Sequence, residues 1–298
     1  MKKIISACVC LLLCLTLFIY ANNFLARKTS YQKNADFYGA QEDFEVLFLG
    51  SSHMIMGIAP MELWDDYGIT SYNMANYGQY LPVDYWVLKN ALDYTTPKLV
   101  VIDVFSIDKD AKYSSTHVSS MHEMFDIMPL TRNKLHAIQD LLPEEQHMEF
   151  LFPFSFYHSR WSEINSTFWT KPVPSTEKGG NLDYSNALPY AAVSECEEPD
   201  WIAHSRKNQT QTVGKDYLEK IITLCQENNI EAALVALPFA PTEEEQLYLN
   251  SVQDIADEYN IKYFNMNQTD GYINYSTDMY DEGHLNSSGA RKTTAVLG

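Results

Sequence analysis

The chain has 298 residues, of which 46% are hydrophobic, 20% charged and 13% aromatic, enough apolar material for a packed core in one large domain or two small ones. A formal net charge of −18 and the lack of any basic patch argue against a nucleic-acid partner, since phosphate contacts need clustered Lys and Arg. A local pocket can differ from the net field, so the acidity says less about an anionic small ligand.

Lys2 and Lys3 precede an uncharged apolar run, IISACVCLLLCLTLFIY, at residues 4–20. Its length meets the lower limit for a membrane span. The following IYANNFLARK has no small-x-small cleavage site, so residues 1–21 read as an uncleaved signal anchor, with a cleaved signal and secretion as the alternative. Lys2 and Lys3 on one side and Arg27 and Lys28 on the other leave the orientation undecided by charge. A short N-terminal anchor predicts an extracytoplasmic globular part. Cys8, Cys10 and Cys14 fall in this run as small apolar residues. Cys196 and Cys225 remain, too few to define a disulfide framework, and no Cys/His cluster has zinc spacing. No metal or organic cofactor is expected.

Residues 22–43 are polar and mixed and read as a stalk, with one domain over 44–298. The apolar run EVLFLG reads as a first strand. APMELWDDYG follows as a short helix, with Pro60 in its first turn and Gly68 at its end. SYNMAN is a second strand, LPVDYWVLKNALDY a helix of period 3.6, and PKLVVIDVF a third strand, almost wholly apolar as fits a parallel strand covered on both faces. The alternation resumes at VGKDYLEKIITLCQENN (helix) and IEAALVALP (strand). It ends with PTEEEQLYLNSVQDIADEYN (helix), IKYFNMN (strand) and a last helix in LNSSGARKTTAVLG. This predicts a three-layer α/β/α fold around a flavodoxin-like parallel sheet of about five strands. Residues 106–211 interrupt it as a largely helical insertion, with helical patterns near 131–150, and read as a cap over the open end of the sheet.

Ligands of such sheets bind at the carboxyl ends of the strands. The first strand ends abruptly in Gly50-Ser51-Ser52-His53, and a serine at a strand-to-helix turn can be a nucleophile beside free backbone amides. Asp281 and His284, three apart in MYDEGHLN, can pair so that the carboxylate holds the ring's tautomer and frees its other nitrogen as a base. A surface turn would produce the same spacing. His53 is expected to point away from Ser52. Asp103, at the end of the third strand, either supports the site or caps the next turn. In FYHSRW of the insertion, Arg160 could clamp an anionic group, Trp161 stack on a sugar face and His158 act as a second acid-base group, or all three could form a structural aromatic cluster.

On these blocks the chain resembles the SGNH (GDSL-like) hydrolase superfamily over residues 45–105 and 212–297. Gly50-Ser51-Ser52 looks like the first block, usually Gly-Asp-Ser, which implies Ser52 as nucleophile. Asp281-Glu282-Gly283-His284 matches the last block, Asp-x-x-His, which implies His284 as base and Asp281 as its orienting acid. Gly78 in NMANYGQ looks like the second-block glycine, an oxyanion donor. The third-block Asn has no counterpart in DVFSID, so the resemblance implies an oxyanion hole built from the Ser52 and Gly78 amides or from Asn76. The Gly-Ser-Ser variant with an N-terminal anchor is similar to membrane-anchored envelope members: the DltD-like proteins of teichoic-acid D-alanylation and the O-acetyltransferases of exported polysaccharides. That likeness implies an esterase or acyltransferase acting on an acylated glycan, a teichoic-acid-like polymer or another polysaccharide, beside a membrane-bound acyl donor protein. A non-catalytic envelope protein that binds glycan or scaffolds an acyltransferase is the alternative.

Overall fold

A computed structural model describes residues 2–25, 33–39, 43–169, 176–177, 179–181, 191–269 and 271–298. Helices α1 (Lys2–Leu25) and α2 (Lys33–Gly39) precede strand β1 (Val46–Leu49). Then come α3 (Ser52–Gly57), α4 (Pro60–Tyr67), β2 (Ser71–Asn73), α5 (Leu81–Ala91) and β3 (Leu99–Asp103). The insertion carries α6 (Val118–Phe125), α7 (Arg132–Leu141), α8 (Glu144–Leu151), α9 (Phe154–Tyr157), β4 (Thr176–Glu177) and β5 (Gly180–Asn181). The alternation resumes with α10 (Val213–Glu227), β6 (Glu231–Ala236), α11 (Glu243–Tyr259) and β7 (Lys262–Asn265). A small ribbon, β8 (Met279–Asp281) and β9 (His284–Leu285), leads into α12 (Ser287–Leu297).

The main sheet runs β4-β5-β2-β1-β3-β6-β7, parallel throughout except that β4 is antiparallel to β5. Its central order is that of a doubly wound fold, so the chain is a three-layer α/β/α protein. Strand residues alternate between faces, as period two dictates. Leu47, Leu49, Val100, Ile102 and Leu234 join one core with α5, α10 and α11. Phe48, Val101 and Val235 join the other with α3 and its flanks. Local signals set the helix ends: Gly68 caps α4 in the left-handed region, and Thr242 with Glu245 makes a capping box on α11.

Three features differ from the sequence reading. The sheet gains an edge from the insertion. There the Asn181 side chain accepts from the Asn73 N–H at 2.9 Å and donates to its carbonyl at 3.1 Å, a side-chain clamp invisible to periodicity. The expected stalk at 22–43 contains α2, which docks on the sheet. Phe37 is 3% exposed, with its ring edge-on to Tyr72 at 4.9 Å, and the Tyr38 hydroxyl accepts from Asn90. Two aromatic rings in a polar stretch were enough to anchor it.

The insertion does not simply roof the sheet. Helix α7 lies against α5, where Asp140 accepts from Trp86 Nε1 and Lys112 Nζ at 2.7 Å each and from the Tyr217 hydroxyl. Among the described residues, the parts that reach the strand ends are 104–120 on one side and 194–201 on the other. Helix α1 is long and apolar enough to cross a membrane, a test that a signal sequence also passes.

Candidate active site

Ser51 caps α3, its hydroxyl accepting from the His53 N–H, which makes Ser52 the first residue of that helix. Across the strand ends, β8 and β9 fold back so that Asp281 faces His284 in register. The Asn286 side chain caps α12 by accepting from the Ser288 and Gly289 amides, and this fixes the exit of the turn. The Ala240 N–H donates to the Glu282 carbonyl at 2.7 Å and ties the turn to the loop after β6.

The result is a relay. Ser52 Oγ lies 2.8 Å from His284 Nε2, and His284 Nδ1 lies 2.8 Å from Asp281 Oδ1. An ionised carboxylate only accepts, so Nδ1 carries the proton and Nε2 offers its lone pair to the Ser52 hydroxyl. Asp281 Oδ1 also accepts from the Gly283 N–H at 2.8 Å, which locks the carboxylate in place. The side chains of His284 and Asp281 keep 24% and 49% exposure, so the relay stands open to a substrate. Ser52 from one motif and Asp281 with His284 from another, far along the chain, meet in one place.

The loop after β2 lies against the Ser52 turn, since the Asn76 N–H donates to the Gly50 carbonyl at 3.3 Å. Gly78 has φ +63°, and a Cβ there would lie 2.4 Å from His117 Cγ, so only glycine fits beneath that ring. Neither the Ser52 nor the Gly78 N–H has an acceptor among the described residues, which leaves both amides available to an oxyanion. Asn76 takes a different part from the one expected. Its side-chain amide donates to the Ser120 carbonyl at 2.8 Å and its oxygen accepts from the Tyr77 N–H at 2.9 Å, so it shapes the Gly78 loop. After β3, Asp103 Oδ1 accepts from the Phe105 N–H at 3.2 Å, the turn-capping alternative. The chain then presents an aromatic ring, and no side-chain amide.

That ring stacks on His53, and here the sequence reading is corrected. His53 does not turn away. Its ring lies 5.0 Å from that of His284, 3.6 Å from Phe105 and edge-on to Phe239 at 5.1 Å. It is 5% exposed, and neither ring nitrogen has a hydrogen-bond partner among the described residues. Burial, then the neighbouring His284 and Lys109, hold its pKa well below the ordinary histidine value, so it is neutral.

Beneath the turn lie two buried acids that the sequence reading did not join. Gly50, at φ +153°, passes over Asp103 so closely that a Cβ would sit 2.7 Å from Asp103 Cβ. On its other side the Gly50 amide faces Asp84, which also accepts from Gln79 Nε2 at 2.6 Å. Burial pushes Asp84 up to about 7, against the pull of Gln79, and Asp103 up to about 8, with Asp84 raising it further. Asp84 sits in the first turn of α5, where a carboxylate reads as ordinary helix-dipole pairing, so no sequence signal marked it.

The proposed substrate contacts lie elsewhere. Arg160 donates to the Leu25 carbonyl at 2.8 Å and to Glu163 at 2.9 Å, His158 Nδ1 donates to the Ser155 carbonyl, and Trp161 is 68% exposed. Arg160 and His158 lie near the C-terminal end of α1, where Phe154 packs against Phe18, and Trp161 on the same short helical turn is exposed. An apolar groove of about 550 Å³, lined in part by Val46, Leu99, Val101 and Phe264, lies along a sheet face and not at the strand ends. No protein-family model matches the chain, and no curated protein has a similar sequence.

Proposed function

We propose that the chain is a serine-dependent acyl-ester hydrolase or acyltransferase of SGNH type, acting on cell-envelope glycan or polyol esters. The observation that carries this reading is the unbroken relay from Ser52 through His284 to Asp281 at the carboxyl ends of a parallel sheet. A fold with no chemistry to do has no need to hold a serine hydroxyl on an exposed imidazole backed by a carboxylate.

The step follows from the geometry. Ser52 Oγ attacks the ester carbonyl carbon while its proton passes to His284 Nε2, and Asp281 stabilises the imidazolium that forms. The negative charge on the carbonyl oxygen falls to the Ser52 and Gly78 amides. The C–O bond to the alcohol breaks, the alcohol leaves with the proton from His284, and an acyl-Ser52 ester remains. Water or a second hydroxyl then repeats the sequence in reverse and frees Ser52.

Helix α1, long and apolar enough to cross a membrane, supports an N-terminal anchor, and an extracytoplasmic catalytic domain is part of the proposal. A membrane-bound acyl donor protein is the partner such a placement would serve. One observation favours a second reading, a non-catalytic glycan-binding or scaffold protein: Phe105 stands after β3 where the resemblance calls for an Asn donor. A fluorophosphonate, which needs only an activated serine, separates the two. The acyl-transfer reading expects one covalent adduct on the folded protein, and the scaffold reading expects none.

A further inference from the structure

The exposed aromatic side chains of residues 152–169 carry an inference that rests on the membrane-anchor reading and goes beyond α1. We propose that this segment is a second membrane contact. Its side chains lie in the headgroup layer of the bilayer that α1 crosses, on the side where α1 ends, so the catalytic domain is held to the lipid surface at two points.

The depth follows from the helix. Its apolar span, Lys2–Asn22, has 21 residues. At 1.5 Å per residue that covers about 30 Å, the thickness of the hydrocarbon core. Phe18, four residues before Asn22, then lies about 6 Å inside the core boundary, while Phe24 and Leu25 lie in the headgroup layer. The segment is fastened at these depths. Phe154 packs on Phe18 with ring centroids 5.2 Å apart, and Trp169 on Phe24 at 5.0 Å. Leu25 is buried with Tyr157, and the Arg160 guanidinium donates to the Leu25 carbonyl at 2.8 Å. The last carbonyls of a helix lack partners within it, and a cation there supplies one where water is scarce.

The side chains of the segment fit that layer. Phe152, Trp161, Ile164 and Trp169 are exposed, the two tryptophans at 68% and 69%. Phe152 stands two residues from Phe154 and Trp161 next to Arg160, so the contacts with α1 hold both near the same depth. Tryptophan has an apolar ring and one N–H donor, which suits it to the boundary between lipid and water. The charged side chains within 152–169 are Arg160 and Glu163, and they pair with each other at 2.9 Å. The contact therefore depends on apolar burial and needs no anionic lipid.

The test reconstitutes the full chain in phosphatidylcholine vesicles whose lipid is brominated near the headgroup end of one acyl chain, and reads tryptophan emission. Bromine quenches only the rings it reaches. Of the five tryptophans, Trp64 on α4, Trp86 on α5 and Trp201 beside Tyr275 lie in the catalytic domain and serve as the reference. The wild type should be quenched, and more strongly than by lipid brominated near the bilayer centre. The double substitution Trp161→Phe and Trp169→Phe keeps an apolar ring at each position and should lose that quenching. A wild type that resists extraction by alkaline carbonate yet is not quenched would overturn the second contact and leave the anchor standing. So would a double variant quenched as strongly as wild type. Release of the wild type by alkaline carbonate would remove the anchor reading and the second contact with it.

Discussion

Ser52 Oγ and His284 Nε2 lie 2.8 Å apart although 232 positions separate them in the chain. Their meeting depends on the parallel order of β1 and β7 around β3 and β6, which brings the turns after the first and last sheet strands to one mouth. In the proposed step His284 becomes a cation as it takes the serine proton, and Asp281 balances that charge. Asp281→Asn should preserve the fold and cut the acylation rate by about 10³- to 10⁴-fold, since an amide neither holds the tautomer nor balances the charge. Stopped-flow release of p-nitrophenol would measure it. A drop of less than about tenfold would mean that the carboxylate is not part of the relay.

Gly78 gives a second prediction. At φ +63° and under the His117 ring it leaves no room for a Cβ. Gly78→Ala should displace the loop whose amide is proposed as the second oxyanion donor and slow acylation by about 10²- to 10³-fold, as expected for loss of one donor. Adding His117→Ala removes the clash and should recover part of the rate. Full activity in the single variant would place the oxyanion elsewhere.

The acids beneath Gly50 predict how stability depends on pH. Folded Asp84 and Asp103 titrate near 7 and 8, against an ordinary value of 3.8. Between these limits the folded chain keeps protons that the unfolded chain has released. Their contribution to stability is therefore fully present below the unfolded value and is lost as pH rises through about 8. Asp103→Asn cannot ionise, so its melting temperature relative to wild type should be more favourable at pH 9 than at pH 6. An equal difference at both pH values would show that Asp103 does not titrate in that window.

Helix α2 yields a prediction about the boundary of the domain. Phe37 packs on Phe44 and Tyr72 in the main core, so Phe37→Ala should cost about 3–5 kcal/mol in denaturant unfolding. A chain begun at residue 44 should melt lower than one begun at residue 33. Equal melting temperatures would return 33–39 to the stalk.

The strand–helix alternation was legible because parallel strands read as short apolar runs and their helices carry the 3.6 period. Ser52, Asp281 and His284 were legible as well, because each stands in a short motif and the topology sends those motifs to the same edge. Other features depended on contacts between distant segments. The edge strand β5 rests on the clamp between Asn181 and Asn73, and α2 on two rings in a polar stretch. Arg160 looked like an anion clamp from composition, yet its partners are a backbone carbonyl of α1 and Glu163. The position of His53 was misread because its ring orientation is set by Phe105 and Phe239, which come from two other loops.

The most direct measurement treats the folded protein with a fluorophosphonate and records intact mass for the wild type, Ser51→Ala, Ser52→Ala and His284→Ala. An activated Ser52 predicts one adduct on the wild type and on Ser51→Ala, and none on Ser52→Ala or His284→Ala. An unmodified wild type, or an adduct that survives Ser52→Ala, would contradict it.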